Sequence, residues 1–360
     1  MSDVADEAEI VQTGPELDAV KLTKYLEGKL EGVHGILVLE QFSKGYSNLT
    51  YLVRAGEREY VLRRPPHGVQ IKSAHDMGRE FKILSNLADV YEKVPRPLLY
   101  CGDESIIGAP FYVMERVRGV ILRARIREGI ELRPERMTRI SEMVIDTLAE
   151  IHAIDYAAIG LGDLGNPVGY IQRQVQGWAA RYAKAETDTI PDMHALAAWL
   201  EAHRPEESGT ALLHNDYKYD NVVIDPAGFS RIIAVLDWEM ATLGDPLMDL
   251  GTALGYWIEA DDPPVFQQMR FGPTYLAGNL SRRELVDRYA EKTGRDVSNI
   301  HFYYVFALFK MAVVAQQLYK RFRDGHTTEE RYKRMLPAVT NVSRAAMLVI
   351  DRGRIDQLKE

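Results

Sequence analysis

A chain of 360 residues, 46% of them hydrophobic and 27% charged, has the composition of a globular protein. This composition excludes a mainly disordered chain, and the length predicts two or three packed units. The net charge of −8 argues against a general nucleic-acid binder, and the single cysteine, Cys101, excludes an intrachain disulfide.

Three features bear on the compartment. The use of one cysteine is typical of a reducing environment. The acidic start MSDVADEAEI lacks the basic and then apolar order of a secretory signal. The most apolar helical segment, 303–318, is interrupted by Lys310 and is shorter than the roughly 20 residues of a membrane span. We therefore expect a cytoplasmic protein with no membrane partner.

The first third of the chain is predicted to form a small antiparallel sheet with one helix. After a helix at 16–30, segments rich in β-branched and aromatic residues alternate with turn residues, and Pro65-Pro66 ends the run. Strands are expected at 36–42, 49–55, 58–64, 97–103 and 109–117, with a helix at 74–89. Gly119 marks a boundary, which predicts an N-terminal segment (1–35), a sheet domain (36–118) and a helical domain (119–360).

The remainder reads as mostly helical, with one exception. Helical periodicity predicts helices at 134–154, 169–185, 191–203, 281–293, 298–323 and 327–350. Residues 211–237 instead predict a strand, a polar loop and a hairpin that turns at Asp225-Pro226-Ala227-Gly228. This island is where we expect the chemistry.

The island contains the polar run HNDYKYDN, residues 214–221, between two apolar segments. Asp216 and Asn221 lie in this run, and Asp237 follows the second hairpin strand. Carboxylate and amide oxygens are hard donors that suit Mg²⁺ shared with substrate phosphates. The spacing of Asp, Lys and Asn also matches the catalytic loop of protein kinases.

With VLDWE at 235–239, the run HNDYKYDN carries a family resemblance. The chain resembles the aminoglycoside phosphotransferase and choline kinase family, relatives of protein kinases, over about residues 36–340. The resemblance implies an α+β, two-lobed fold with a small antiparallel-sheet N-lobe, a hinge near 112–118 and a mostly helical C-lobe. It also implies ATP and Mg²⁺ as cofactors, with the metal-binding segment at 235–251.

Carried over residue by residue, the resemblance gives each polar group a role. Asp216 looks like the catalytic base, Lys218 like a positive charge near the transferred phosphate, and His214 like a brace of the loop. Asn221 and Asp237 look like the Mg²⁺ ligands. Asp249 is expected to hydrogen-bond back to the catalytic loop.

The N-lobe is expected to bind the nucleotide. Arg63 stands where the family has a lysine that pairs with a helical glutamate, and Glu80 is the expected partner. Backbone groups of Glu115 to Val117 would meet the adenine, in front of Met114. The hairpin that would cover the phosphates contains Gly45, Ser47 and Asn48.

We therefore expect a phosphotransferase acting on a hydroxyl of a small molecule. The likeness is strongest to kinase-like domains fused to acyl-CoA dehydrogenases, which implies a hydroxyacyl-CoA or a related acceptor. One alternative is a choline or ethanolamine kinase, with a cage drawn from Tyr256, Trp257, Glu259, Tyr303 and Tyr304. Another is a catalytically silent nucleotide-binding module, which Arg63 favours. Five arginines between 116 and 127 would favour an anionic acceptor if they converge.

Overall fold

The computed structural model describes residues 17–42, 48–66 and 76–358. Its helices are α1 (Ala19–Leu26), α2 (Met77–Ala88), α3 (Pro134–His152), α4 (Tyr170–Ala185), α5 (Pro191–Ala202), α6 (Pro246–Gly255), α7 (Pro264–Gln267), α8 (Arg282–Thr293), α9 (Ile300–Arg323) and α10 (Met335–Arg352). Its strands are β1 (Val38–Gln41), β2 (Leu49–Ala55), β3 (Arg58–Arg64), β4 (Pro97–Cys101), β5 (Phe111–Glu115), β6 (Ala211–Leu213), β7 (Val222–Ile224), β8 (Ile232–Val235) and β9 (Thr242–Gly244).

The chain divides into two compact units that interleave along the sequence. Unit 1 comprises residues 1–121, 157–161 and 222–241, and unit 2 comprises 122–156, 162–221 and 242–360. Unit 1 contains most of the strands and unit 2 most of the helices. The predicted α+β class is confirmed.

Unit 1 is built on a five-stranded antiparallel sheet with strand order β1-β2-β3-β5-β4. Leu22 and Leu26 of α1 belong to the same buried core as Val53 and Leu62 of the sheet. Helix α2 begins at the side-chain cap Asp76 and buries an apolar face. Glu80 is buried on that face, which directs a carboxylate toward the sheet interior.

The hairpin β7-β8 also belongs to unit 1. Val222 pairs with Val235, and the connecting turn contains Gly228 and Phe229 with positive φ values of 97° and 57°. Gly119 is required where the chain passes this hairpin, because a Cβ atom there would lie 2.4 Å from Cγ1 of Val223. The hairpin therefore has a fixed place within this unit.

Unit 2 is helical apart from the short pair β6-β9. Helix α6 packs closely on α9, because a Cβ atom at Gly251 would lie 2.5 Å from the carbonyl oxygen of Tyr303. Nearly every residue in the first half of α9 is buried, which explains its apolar sequence. Within the described ranges, no helix combines the length and apolar character needed to cross a bilayer.

Two predicted helices differ from the structure by four or more residues at one end. The first helix ends at Leu26 rather than at residue 30. Gly28, two residues after this end, has a left-handed φ of 74°, which a continuing helix would not allow. The last begins at Met335, after a 3₁₀ turn at Glu330–Arg334, instead of at 327. Pro337 explains the late start, because proline is tolerated in the first turn of a helix and not in its interior.

Candidate functional site

The predicted site residues fall into two groups, one in each compact unit. In unit 1, Arg63 of β3 lies at the centre of a buried ion cluster. Its Nη1 is 3.1 Å from Oε1 of Glu80, so the predicted ion pair is present. Its Nη2 is 2.9 Å from Oδ1 of Asp237 and 3.2 Å from Oε2 of Glu239. One guanidinium therefore bridges the sheet, α2 and the segment after β8.

The four groups of this cluster carry unequal charge. Burial opposes the charge on Arg63, but Glu80 and Asp237 outweigh it and raise the pKa of the guanidinium. Burial raises the pKa of Glu80, although Arg63 works against that shift. With all groups ionised, three carboxylates face one guanidinium, an excess of two negative charges. Among the described residues, no group of three or more Asp, Glu, His or Cys side chains is arranged to hold a metal ion, so these carboxylates alone do not form a metal site.

Asp237 is the most accessible carboxylate of the cluster, with 32% of its side chain exposed against 10% for Glu239 and 2% for Glu80. Its backbone is left-handed, with φ of 68° and ψ of 61°. Aspartate tolerates this region better than most residues, yet strained backbone of this kind is concentrated at functional sites. Asp237 is therefore the group in this unit best placed to ligate a metal.

Glu239 is a member of the cluster that sequence reasoning did not select. Its Oε2 accepts a hydrogen bond of 2.5 Å from Nδ2 of Asn48, and its carbonyl accepts one of 3.2 Å from Nη1 of Arg79. The signal was present, because Glu239 lies two residues after Asp237 in VLDWE. Asn48 is thus tied to the ion cluster, whereas Gly45 and Ser47 lie outside the described residues.

The predicted hinge residues follow from the register of β5. Arg63 pairs with Tyr112 in the sheet, and Met114, which is buried, pairs with Val61. Glu115 is exposed at the end of the strand, and its N–H donates to the carbonyl of Arg96 at 2.9 Å. Val117 is half-buried just beyond it. Of the five arginines between 116 and 127, Arg116 and Arg118 both bind Glu59.

In unit 2, the carboxylate of Asp216 receives three side-chain donors. Oδ2 accepts from Nζ of Lys218 and, at 3.0 Å, from Nδ2 of Asn221. Oδ1 accepts from the hydroxyl of Tyr256 at 2.8 Å. These contacts bring the predicted catalytic residues Asp216 and Lys218 together with the predicted metal ligand Asn221, and they fix the carboxylate in one orientation. Asn221 uses only Nδ2 in its described contacts, which leaves its amide oxygen as a possible metal ligand.

Tyr256 follows α6 and was considered from sequence only as part of a cage for a cationic acceptor. Burial is the main reason that the pKa of its hydroxyl is raised, and the charge of Asp216 adds to the effect. It therefore remains a neutral hydrogen-bond donor to Asp216. Nothing in the spacing of residues 216 and 256 announced this contact, because it depends on how α6 packs beneath the loop.

Asp249 of α6 anchors the loop from below, as predicted. Its carboxylate accepts backbone hydrogen bonds from His214 at 2.6 Å and from Asn215 at 2.8 Å, and Nε2 of His152 lies 3.2 Å away. Burial raises the pKa of Asp249, but the hydrogen bond and charge of His152, together with His214, outweigh burial and lower it. Nδ1 of His214 in turn accepts from the N–H of Asp216 at 3.3 Å, so His214 braces the loop.

The residues suggested for a choline cage have separate environments. Tyr256 and Trp257 line a mainly apolar cavity of about 490 Å³, counting its opening to solvent. Glu259 instead binds the buried Arg282. Tyr303 and Tyr304 are both buried in α9.

Known proteins resemble this chain in sequence and in fold. The model of the phosphotransferase enzyme family APH matches residues 38–288. The mouse protein acyl-CoA dehydrogenase family member 10 is 38% identical over 311 residues, which are 85% of this chain and 29% of that protein. The curated relatives are longer, and this chain spans 29% to 42% of the first of them.

Solved structures give the same result. A crystal structure from Ralstonia eutropha JMP134, assigned as an aminoglycoside phosphotransferase, has a TM-score of 0.74 and 33% identity, covering 92% of this chain and 98% of that one. The aminoglycoside phosphotransferase APH(4)-Ia, in a ternary complex with AMP-PNP and hygromycin B, has a TM-score of 0.58 and 18% identity, covering 93% and 99%. The two-lobed, protein-kinase-like fold predicted from the sequence is confirmed. The chain belongs to the phosphotransferase enzyme family.

Proposed function

We propose that the protein is an ATP- and Mg²⁺-dependent phosphotransferase that moves the γ-phosphate of ATP to a hydroxyl of a small molecule. The observation that carries this proposal is the donor set on Asp216, where Lys218, Asn221 and Tyr256 hold one carboxylate in a fixed orientation. Such groups are costly to keep together unless they serve a purpose.

In the proposed reaction, the acceptor oxygen attacks the γ-phosphorus in line with the bond to the bridging β-γ oxygen, which breaks and leaves ADP. Asp216 orients the acceptor hydroxyl and takes its proton as the new O–P bond forms. Lys218, already beside Asp216, balances negative charge on the transferred group.

Asn221 and Asp237 would hold the metal through an amide oxygen and a carboxylate oxygen. The excess negative charge around Arg63 and the accessibility of Asp237 support this assignment. When bound, Mg²⁺ would neutralise phosphate oxygens during transfer. His214 would maintain the loop, and Arg63 with Glu80 would set the charge near the nucleotide phosphates.

The nucleotide would lie against the five-stranded sheet of unit 1. Glu115 and Val117 would offer backbone groups to the adenine, with Met114 behind it, and Asn48 would offer its backbone N–H to the phosphates. The complex of APH(4)-Ia with AMP-PNP supports ATP as the donor, since the two proteins share a fold. The likeness to acyl-CoA dehydrogenase family members supports a hydroxyacyl-CoA or a related hydroxylated metabolite as acceptor.

A second candidate is a catalytically silent nucleotide-binding module. One observation favours it: Arg63 occupies an oxygen of Asp237 that a metal would need. Under this alternative, the guanidinium would replace the metal permanently and phosphoryl transfer would not occur.

The test is a screen of ADP release from ATP and Mg²⁺ against pools of hydroxylated metabolites, with calorimetric titration of AMP-PNP alongside. We expect at least one pool to stimulate turnover. We also expect Asp216→Asn to abolish turnover while retaining nucleotide affinity, because the carboxylate faces the acceptor. Asp287→Asn, a change to a carboxylate of α8 that is 63% exposed, is the control and should leave turnover unchanged. Nucleotide binding without turnover for any pool would support the silent module instead.

A further inference from the structure

Lys310 is a cation that the proposed reaction does not use. It lies in α9 within the apolar run FALFKMAVV and is half-buried. Placing an ammonium group among apolar side chains costs free energy unless something compensates it. Burial is the main reason that the pKa of Lys310 is lowered. A residue kept at such a cost is a candidate for function.

The contacts of Lys310 place it at the catalytic loop. Its Nζ donates to the carbonyl oxygen of Asn215 at 3.3 Å, directly before Asp216. Asn215 has a left-handed φ of 64°, and its side-chain oxygen accepts from the hydroxyl of Tyr170 at 3.5 Å. Lys310 therefore reaches the loop on the side formed by α4 and α9, within unit 2.

A second cation and an aromatic ring stand beside Lys310. Trp178 of α4 lies with its ring 5.8 Å from Nζ of Lys310 and 4.6 Å from Cζ of Arg181. Trp178 is largely buried, whereas Arg181 is exposed. One indole thus contacts two cations, an arrangement that positions both charges without neutralising either.

Carboxylates and cations both act on Lys310, and the carboxylates act on it more strongly. The charged groups that act on Lys310 are Asp216, Asp249, Lys218 and Arg181. Both carboxylates already accept hydrogen bonds from other groups of the loop. Across the part of the chain that the structure describes, no carboxylate lies within ion-pair distance of Lys310 or Arg181. Two cations without a carboxylate between them form an attractive site for an anion.

We propose that Lys310, Arg181 and Trp178 bind an anionic group of the acceptor while its hydroxyl faces Asp216. This inference rests on the proposed function and names the acceptor class as a hydroxylated oxyanion, either a carboxylate or a phosphate. The same charges would repel cationic acceptors such as choline. The substrate class therefore differs from the aminoglycosides after which the family is named.

The experiment uses the full chain with AMP-PNP and Mg²⁺ present. Ligand-observed NMR titrations compare glycerate with its neutral amide, glyceramide, and add inorganic phosphate and choline. Glycerate and phosphate should bind at least about tenfold more tightly than glyceramide, since a hydrogen bond to a charged group contributes about 1.5 to 3 kcal/mol. Choline should bind more weakly still. Equal affinity for glycerate and glyceramide, or a preference for choline, would overturn the proposal.

Variants assign the effect to these residues. Lys310→Met and Arg181→Met should each remove most of the preference for the anion. Lys320→Met is the matched control, because Lys320 lies on the same helix and pairs with Asp324 at 2.7 Å. Arg181 is exposed, so its variant decides the question if Lys310→Met does not fold. A preference that survives in both folded variants would reject these residues as the site.

Two further outcomes distinguish this anion site from an ATP site and from the proposed phosphotransferase activity. AMP-PNP affinity should be unchanged in both variants, and a loss of nucleotide affinity with the acceptor preference intact would assign the cations to ATP. Because binding is measured without turnover, an intact anion preference in a protein that transfers no phosphate would count against the proposed function and still support the anion site.

Discussion

Nη2 of Arg63 lies 2.9 Å from Oδ1 of Asp237, so the residue at the lysine position of β3 directly holds the carboxylate assigned to the metal. The same guanidinium reaches Glu80 and Glu239. A lysine could not make all three contacts with one geometry, because its ammonium is a compact point charge while the guanidinium is a planar fork. The arginine at position 63 therefore suits a site that contains Glu239 as an additional carboxylate.

Arg63→Met should destabilise the protein strongly. The change leaves Glu80, which is 2% exposed, without its ion pair and leaves Asp237 and Glu239 facing each other's charge. Removing one partner of a buried ion pair costs about 3 to 5 kcal/mol in the free energy of unfolding. Urea unfolding followed by circular dichroism measures the change.

Arg58→Met is the control for this prediction. Arg58 lies on the same strand and pairs with Glu31, but both side chains are more than half exposed. Its loss should cost under about 1 kcal/mol. Similar losses in the two variants would mean that the cluster around Arg63 contributes no more than a surface pair.

Tyr256→Phe should slow the phosphoryl transfer without weakening nucleotide binding. The change removes only the hydroxyl that donates to Oδ1 of Asp216 at 2.8 Å, so the carboxylate can rotate away from the acceptor. A hydrogen bond to a charged group contributes about 1.5 to 3 kcal/mol, which corresponds to a fall in kcat of roughly tenfold to 150-fold. Steady-state kinetics measures this, with KM for ATP expected to stay constant.

Tyr275→Phe is the matched control, because the ring of Tyr275 contacts the guanidinium of Arg270 instead. Its kcat should equal that of the unmodified protein. An unchanged kcat in Tyr256→Phe would show that Lys218 and Asn221 alone suffice to orient Asp216.

Asp249→Asn should destabilise the protein in a way that depends on pH. The folded protein lowers the pKa of Asp249 below its ordinary value of 3.8. The stability from this group is therefore present above pH 3.8 and is lost as the pH falls through the lower folded value. At neutral pH, we expect a loss of about 2 to 4 kcal/mol in the free energy of unfolding. This loss should shrink as the pH falls below 3.8.

Urea unfolding at neutral pH and at a pH below 3.8 measures the free energy of unfolding of each variant. Asp287→Asn is the control, since Asp287 is 63% exposed and lies 3.9 Å from Arg283. A difference between Asp249→Asn and the unmodified protein that stays constant at low pH would contradict the role of a charged Asp249 in holding His214 and Asn215.

Local sequence patterns were sufficient for most of the elements and for the contacts within the loop. In HNDYKYDN, Asp216, Lys218 and Asn221 lie within five positions of one another, so their contacts follow from their short spacing in the sequence. The pairing of Arg63 with Glu80 was also predictable, because the strand-then-helix order resembles the family pattern.

Asp249 was expected to reach the loop, but two other contacts between distant segments were not predictable. Tyr256 reaches Asp216 across 40 positions, and Lys310 reaches Asn215 across 95. Both depend on how α6 and α9 pack, and Gly251 is part of the reason that they pack so closely. A polar residue in an apolar helix, such as Lys310, was the only trace that the sequence carried. From the sequence alone, this lysine argues against a membrane span and does not indicate a site residue.

Arg282→Lys should destabilise unit 2 by more than its conservative character suggests. Arg282 is fully buried, and its two terminal nitrogens bind Asp262 at 2.5 and 2.6 Å while Nη1 also donates to the carbonyl of Trp257 at 2.8 Å. Lysine has no planar fork, so one ammonium cannot replace both contacts to Asp262 and the contact to the carbonyl of Trp257, at a cost of about 1 to 3 kcal/mol. Thermal unfolding of Arg282→Lys beside Arg283→Lys checks this. Arg283 is the adjacent residue, 42% exposed, and its replacement should leave the melting temperature unchanged.

Because Arg282 also secures the segment that presents Tyr256 and Trp257, Arg282→Lys should raise KM for the acceptor more than KM for ATP. Equal effects on both substrates would show that the arginine supports the fold as a whole and not the acceptor side.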